Sequence, residues 1–140
     1  MNIVILGAGQ AASQCALGLR QSGFEGSITM VGDEPHLPYE RPPLSKAVLK
    51  SETDIERTVF RPAAVYEDQD IGLKLSTKAT KVDQAQQQVT LDNGEVLAYD
   101  KLVVATGTRA RSLPLDQGVL DKSFLVRSWD ESLALKAFLG

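Results

Sequence analysis

The chain of 140 residues holds a single cysteine, Cys15, and a single histidine, His36. One cysteine excludes an internal disulfide, a redox dithiol and a cysteine-rich metal site. One histidine with no companion in sequence reads as loop surface, so no metal site is expected. Basic residues are not in excess: 15 Lys and Arg face 18 Asp and Glu, a net charge of −3, and no basic stripe appears. That balance argues against a nucleic-acid footprint. Apolar runs stop at five or six residues, far short of the ~20 that cross a bilayer. The opening "MNIVILGAG" has neither a basic n-region nor a long apolar h-region, so no signal peptide is expected and a cytoplasmic home is the default. There is no internal repeat. The length suits about one ordinary domain, and 43% hydrophobic residues suffice for a core.

The rest of the pattern is α/β. "NIVIL" (residues 2–6) is a β-branched run that reads as a strand buried on both faces. "GAGQAA" follows, and Ala11, Ala12, Cys15, Ala16 and Leu19 then recur at helical spacing, which puts Cys15 among packing residues. Gly23 suits the helix stop, and "SITMV" (27–31) is a second strand. Strand, glycine turn, helix and strand make a βαβ unit whose strands should run parallel. After Lys46, "AVLKSE" predicts a helical turn, and "FRPAAVYEDQDI" predicts a short helix entered at Pro62. "QQVTLDNGEVLAYD" predicts a hairpin with a type I′ turn at Asn93-Gly94. "KLVVAT" (101–106) is a returning strand, then a looser stretch carries Pro114 and Gly118. "SWDESLALKAFLG" predicts a helix capped by Ser128 or Asp130 and stopped by Gly140, with Trp129 a packing residue. The expected fold is a Rossmann-like parallel sheet with an inserted antiparallel β-meander.

Four segments carry candidate chemistry. Gly7-Ala8-Gly9-Gln10-Ala11-Ala12 is a GxGxxA. Gly7 lets the chain turn off the strand, Gly9 lets a pyrophosphate approach the backbone, and Ala12 lets helix and strand pack closely. The helix N-terminus then offers N–H groups and a positive dipole end to the phosphates. Asp33, next to Glu34, lies 21 residues past Ala12, just beyond the second strand. An acid there accepts from a ribose hydroxyl and disfavours a 2′-phosphate; either of the two acids fits. "VGDEPHLPYERPPLSK" (31–46) holds four of the chain's six prolines. It reads as a stiff, irregular loop that presents Arg41, a fork donor for phosphate or sugar oxygens, and Lys46, a directed ammonium. "ATGTRAR" (105–111) leaves room for a ligand at the carboxyl end of the returning strand.

Together these segments resemble the N-terminal part of the FAD-dependent, NAD(P)H-using ferredoxin reductases of bacterial oxygenase systems, the putidaredoxin, rubredoxin and biphenyl dioxygenase reductase type. "ERPPLSK" and "ATG-x-R-x-R" are more specific to them than GxGxxA. The resemblance implies that Gly7, Gly9 and Ala11 receive the FAD pyrophosphate and that Asp33, with Glu34, holds the adenosine ribose. Arg41 would face phosphate or sugar. Lys46 would stand beside the isoalloxazine ring as the catalytic cation, stabilising negative charge on reduction. Ala79 would contribute a backbone contact near the adenine, Thr106 and Gly107 would line the cofactor, and Arg127 would reach it from the loop side.

Such reductases run to about three domains, with a second GxGxxG fold for NADH, and that fold is not in these residues. Residues 1–140 are therefore expected to be the N-terminal part of an FAD-binding domain, with an open, apolar C-terminal edge. The parent enzyme would take hydride from NADH and pass electrons to a [2Fe–2S] ferredoxin or a rubredoxin. The piece alone is expected to be inactive. Two alternatives stand beside this: an isolated FAD- or ADP-binding module without turnover, and a different NAD-binding Rossmann oxidoreductase, for which no catalytic residues are found.

Overall fold

Alternation within one short strand organises the fold. In β1 (Asn2–Leu6) residues of odd and even number point to opposite sides. Ile3 and Ile5 enter one core with Ala12, Ala16, Leu17, Ile28, Met30, Tyr66 and Ile71. Val4 and Leu6 enter another with Val31, Val89, Leu91 and Tyr99. A strand used on both faces must be apolar wherever it is buried, which is why residues 3–6 carry no polar side chain and only the exposed Asn2 is polar.

The computed structural model describes residues 1–111, 113–121 and 123–140. After β1 come α1 (Gln10–Gln21) and β2 (Ser27–Val31), then a 3₁₀ turn over Pro42–Ser45. Next are α2 (Ala63–Asp68), β3 (Ile71–Lys74), β4 (Ala79–Asp83), β5 (Gln88–Leu91), β6 (Val96–Ala98), β7 (Lys101–Val104), α3 (Gln117–Leu120) and α4 (Trp129–Leu139). The parallel sheet has the order β3-β2-β1-β7, and β4-β5-β6 form an antiparallel sheet. The parallel βαβ unit and the inserted meander are both as the sequence predicts.

The chain divides into two compact units. The first, Met1–Tyr39 with Phe60–Gly107, contains both sheets, α1 and α2. Arg20 locks it: one guanidinium donates to four carbonyls, those of Phe24, Gly26, Gln69 and Asp70, at 2.6–2.7 Å. The second unit, Glu40–Val59 with Thr108–Gly140, contains the 3₁₀ turn, α3 and α4. α4 starts with a capping box between Ser128 and Glu131 and ends at Gly140, so Ser128 rather than Asp130 is the cap.

Two local expectations change and one holds. The hairpin turn at Asn93-Gly94 is not type I′. Among its residues only Gly94 takes a positive φ, +85°, whereas type I′ needs two. The loop is one residue longer than the two-residue turn: Leu91 bonds to Glu95, Gly94 N–H donates back to the Leu91 carbonyl, and the Asn93 side chain accepts from Glu95 N–H. "AVLKSE" makes the expected turn, with Lys50 N–H donating to the Lys46 carbonyl at 3.2 Å, and the chain leaves it at Ser51, φ +60°. The proline loop is less irregular than expected, because Pro42 and Pro43 fill the opening positions of the 3₁₀ turn, where no N–H is required.

Candidate functional site

Strand exits of the first unit carry one group of the candidate residues. Leu6 ends β1, and Gly7 turns the chain at φ +122°. A Cβ at Gly7 would lie 2.1 Å from the carbonyl oxygen of Ala105. Gly7 N–H donates to Val31, and Ala105 N–H donates to Leu6, both at 2.7 Å. The exits of β2, β1 and β7 therefore form one hydrogen-bonded row. Gly7 is required by the neighbouring strand as much as by its own turn.

Gly9 differs. It is the N-cap of α1, where no side chain caps the helix and no acid occupies the first turn. A Cβ built on Gly9 meets nothing within 4 Å. The helix thus presents its positive end to an open space beside a residue without a side chain, which is the requirement of a phosphate. Ala11 is exposed in that first turn, and Ala12 is fully buried, packed in the core with Ile3 and Ile5.

Beyond β2, Gly32 is buried, and a Cβ there would come within 2.4 Å of the Ala8 side chain. No motif in the sequence singles out Gly32; its place one residue after the strand is the signal available for it. Asp33 is exposed and Glu34 half-buried. The Glu34 carboxylate accepts from the Tyr39 hydroxyl at 2.5 Å, and its carbonyl accepts from Ser76 N–H at 3.0 Å. His36 stands edge-on to Tyr39, with ring centroids 6.1 Å apart, so it is part of a packed loop rather than plain surface. Thr77 N–H donates to Gly32, which brings the loop before Ala79 beside the two acids. Ala79 opens β4 and packs against the Val4 and Leu6 core. Thr106 and Gly107 follow Ala105 and are exposed. Gly7, Gly9, Ala11, Asp33, Glu34, Thr106 and Gly107 thus gather at the carboxyl ends of the parallel strands, with Ala79 just beyond the loop that follows β3.

The second unit holds the other candidates. Arg41 donates from Nη1 to the Arg127 carbonyl. Arg127 donates from Nε to the Thr108 carbonyl at 3.0 Å. The Glu131 carboxylate accepts the N–H groups of Arg127 and Ser128 at 2.8 and 2.9 Å. Burial works to raise the Glu131 pKa, but these bonds, the Ser128 hydroxyl and the Arg41 charge outweigh it and hold the carboxyl below its ordinary range. Ser132, fully buried, donates from Oγ to the Leu44 carbonyl at 2.6 Å. Lys46 is exposed just past the 3₁₀ turn, with its N–H on the Pro43 carbonyl. Glu131 and Ser132 were read only as part of a helix start. Trp129 is buried, as expected of a packing residue. Among the described residues, no group of three or more His, Cys, Asp or Glu is arranged to hold a metal ion.

Comparison with known proteins agrees with this architecture. The sequence profile of the pyridine nucleotide-disulphide oxidoreductases matches residues 1–138. Rhodocoxin reductase of Rhodococcus erythropolis is 43% identical over 140 residues, covering 100% of this chain and 33% of that protein. The ferredoxin–NAD(+) reductase component of the p-cumate 2,3-dioxygenase system of Pseudomonas putida is 42% identical, covering 98% of this chain and 34% of that protein. A crystal structure of the covalent putidaredoxin reductase–putidaredoxin complex superposes with a TM-score of 0.90 at 39% identity, covering 99% of this chain and 34% of that one. The chain spans about a third of the length of these relatives. It belongs to the pyridine nucleotide-disulphide oxidoreductase family.

Proposed function

We propose that this chain binds FAD and forms the flavin-binding part of an NADH-dependent reductase that delivers electrons to a small [2Fe–2S] ferredoxin or a rubredoxin. The observation that carries the FAD reading is the start of α1: an N-terminus without a capping side chain or first-turn acid, beside a glycine with open space over its Cβ position. The electron acceptor is argued from relatives named as rhodocoxin reductase and ferredoxin–NAD(+) reductase. A cytoplasmic setting belongs to the same proposal; no described helix is long and apolar enough to cross a membrane.

In this reading, Gly7 and Gly9 clear the approach, and the first-turn N–H groups of α1, including that of Ala11, receive the pyrophosphate. Asp33 accepts from the ribose. Glu34, whose carboxylate already takes the Tyr39 hydroxyl, braces the loop that presents Asp33. Ala79, Thr106 and Gly107 line the nucleotide. Arg41 and Arg127 act together, because the first is bonded to the carbonyl of the second. The bound flavin would supply the change from a two-electron donor to a one-electron acceptor. Lys46 would hold a fixed positive charge where the ring gains negative charge. These residues contain no second GxGxxG, which favours a narrower statement for the chain alone: it binds FAD, or its ADP half, without turnover.

The test is the visible spectrum of the purified chain after incubation with FAD and, separately, with NADH. Flavin absorbance that co-elutes with the protein is the expected result. Tight NADH binding without flavin uptake would overturn the proposal in favour of an NAD-binding enzyme.

A further inference from the structure

Ser13 in α1 and Tyr66 in α2 are both fully buried, and their hydroxyl oxygens lie 2.7 Å apart. Neither residue belongs to the motifs that point to a nucleotide. Ser13 nonetheless stands in a special place. Its N–H donates to the Gly9 carbonyl at 3.0 Å, closing the first turn of α1 on the glycine with open space above it. One residue therefore holds the glycine turn with its backbone and α2 with its side chain. Seven residues on, along the same face of the helix, Arg20 donates to the carbonyls of Gln69 and Asp70 at 2.6 and 2.7 Å. The segment Tyr66–Asp70 thus grips α1 near each end.

We propose that Ser13 and Tyr66 are positioning residues for the phosphate of a bound dinucleotide, acting by fixing the direction in which the first turn of α1 points its N–H groups. This rests on the nucleotide reading of the site. Helix-terminal donors work only when held within about 0.5 Å and 10–20° of the productive geometry. A hydrogen bond between two buried hydroxyls is directional, and removing one partner leaves the other buried without its bond. α2, which touches no nucleotide in this scheme, then acts as a brace. Burial raises the Tyr66 pKa above its ordinary 10.0, against the smaller opposing effects of Ser13 and Arg61. The phenol stays neutral at physiological pH, so the brace does not titrate there.

The test is ADP binding by calorimetry, with FAD as a second probe, alongside thermal unfolding. It compares the unmodified chain with Tyr66→Phe, Ser13→Ala, the double variant, and Arg20→Lys, which loosens the far end of the same helix. Each of the two single hydroxyl variants should bind ADP about five- to tenfold more weakly, the scale of one hydrogen bond, and should melt lower. The double variant should regain part of the stability, because no buried hydroxyl is left without its partner. Its ADP affinity should stay at the level of the single variants. Arg20→Lys should melt lower yet bind ADP within about twofold of the unmodified chain. Affinity that returns with stability in the double variant would overturn the proposal, as would an Arg20→Lys loss equal to that of Tyr66→Phe. If the unmodified chain binds neither ADP nor FAD, the nucleotide reading itself fails and takes the positioning role with it. Nucleotide binding by the unmodified chain with unweakened single variants would discard the positioning role alone.

Discussion

The two units of this chain carry their candidate residues by different means. In the first, the site is made of backbone at strand ends: a glycine turn, an uncapped helix start, and loops tied by main-chain hydrogen bonds. In the second, side chains hold distant backbone. Arg41 reaches the carbonyl of Arg127, 86 residues away, and Ser132 reaches that of Leu44, 88 residues away. A site of the first kind depends on what is missing from a position, and a site of the second kind on what reaches it. The same small substitution should therefore fail in opposite ways in the two units.

The sharpest contrast lies within the GxGxxA turn. Gly7→Ala forces a Cβ to within 2.1 Å of the Ala105 oxygen at φ +122°, and should cost about 3 kcal/mol or more of stability, with visible loss of folded protein on thermal unfolding. Gly9→Ala meets open space, so its melting temperature should barely move while ADP affinity falls about tenfold or more. Equal melting losses in the two variants would break the distinction between packing glycine and ligand glycine. In the second unit, Ser132→Ala strands the Leu44 carbonyl and should destabilise by about 1–3 kcal/mol in denaturant titration. A neutral outcome would mean that the bond does not hold the 3₁₀ turn.

The smallest effect concerns acid. The Glu131 pKa is depressed below 4.5 in the folded chain. Its stabilising contribution is therefore fully present above the unfolded value and lost as pH falls through the lower, folded one. Glu131→Gln should flatten the acid limb of the stability profile below pH 4.5 and change little at neutral pH. Coincident acid limbs for the two proteins would show that the capping box, not the charge, is what matters at the start of α4.

How far the sequence could be read follows the same division. The βαβ unit, the meander and the exits at Gly7, Asp33 and Thr106 were legible because strands and helices advertise their periods, and because turn residues sit at fixed offsets from them. What escaped were contacts between residues distant in sequence: Arg20 on four carbonyls, Ser13 on Tyr66, Arg41 on Arg127, Ser132 on Leu44. No local pattern marks an arginine that caps backbone over one that faces solvent. The turn at Asn93-Gly94 went astray for a related reason. The dipeptide suits two loop lengths, and strand register chooses between them. Glu131 was visible as three residues past a serine, the spacing of a capping box, but its tie to Arg127 was not.

The close approach of Gly7 to Ala105 has an evolutionary consequence. If Gly9 serves a nucleotide as proposed, a descendant that gave up the ligand would be released from keeping Gly9, yet it would still be held to Gly7 for as long as β7 lay beside β1. The two glycines of one motif would thus decay at different rates. A degraded motif in which the first glycine survives and the second does not would be the trace of a fold that outlived its ligand.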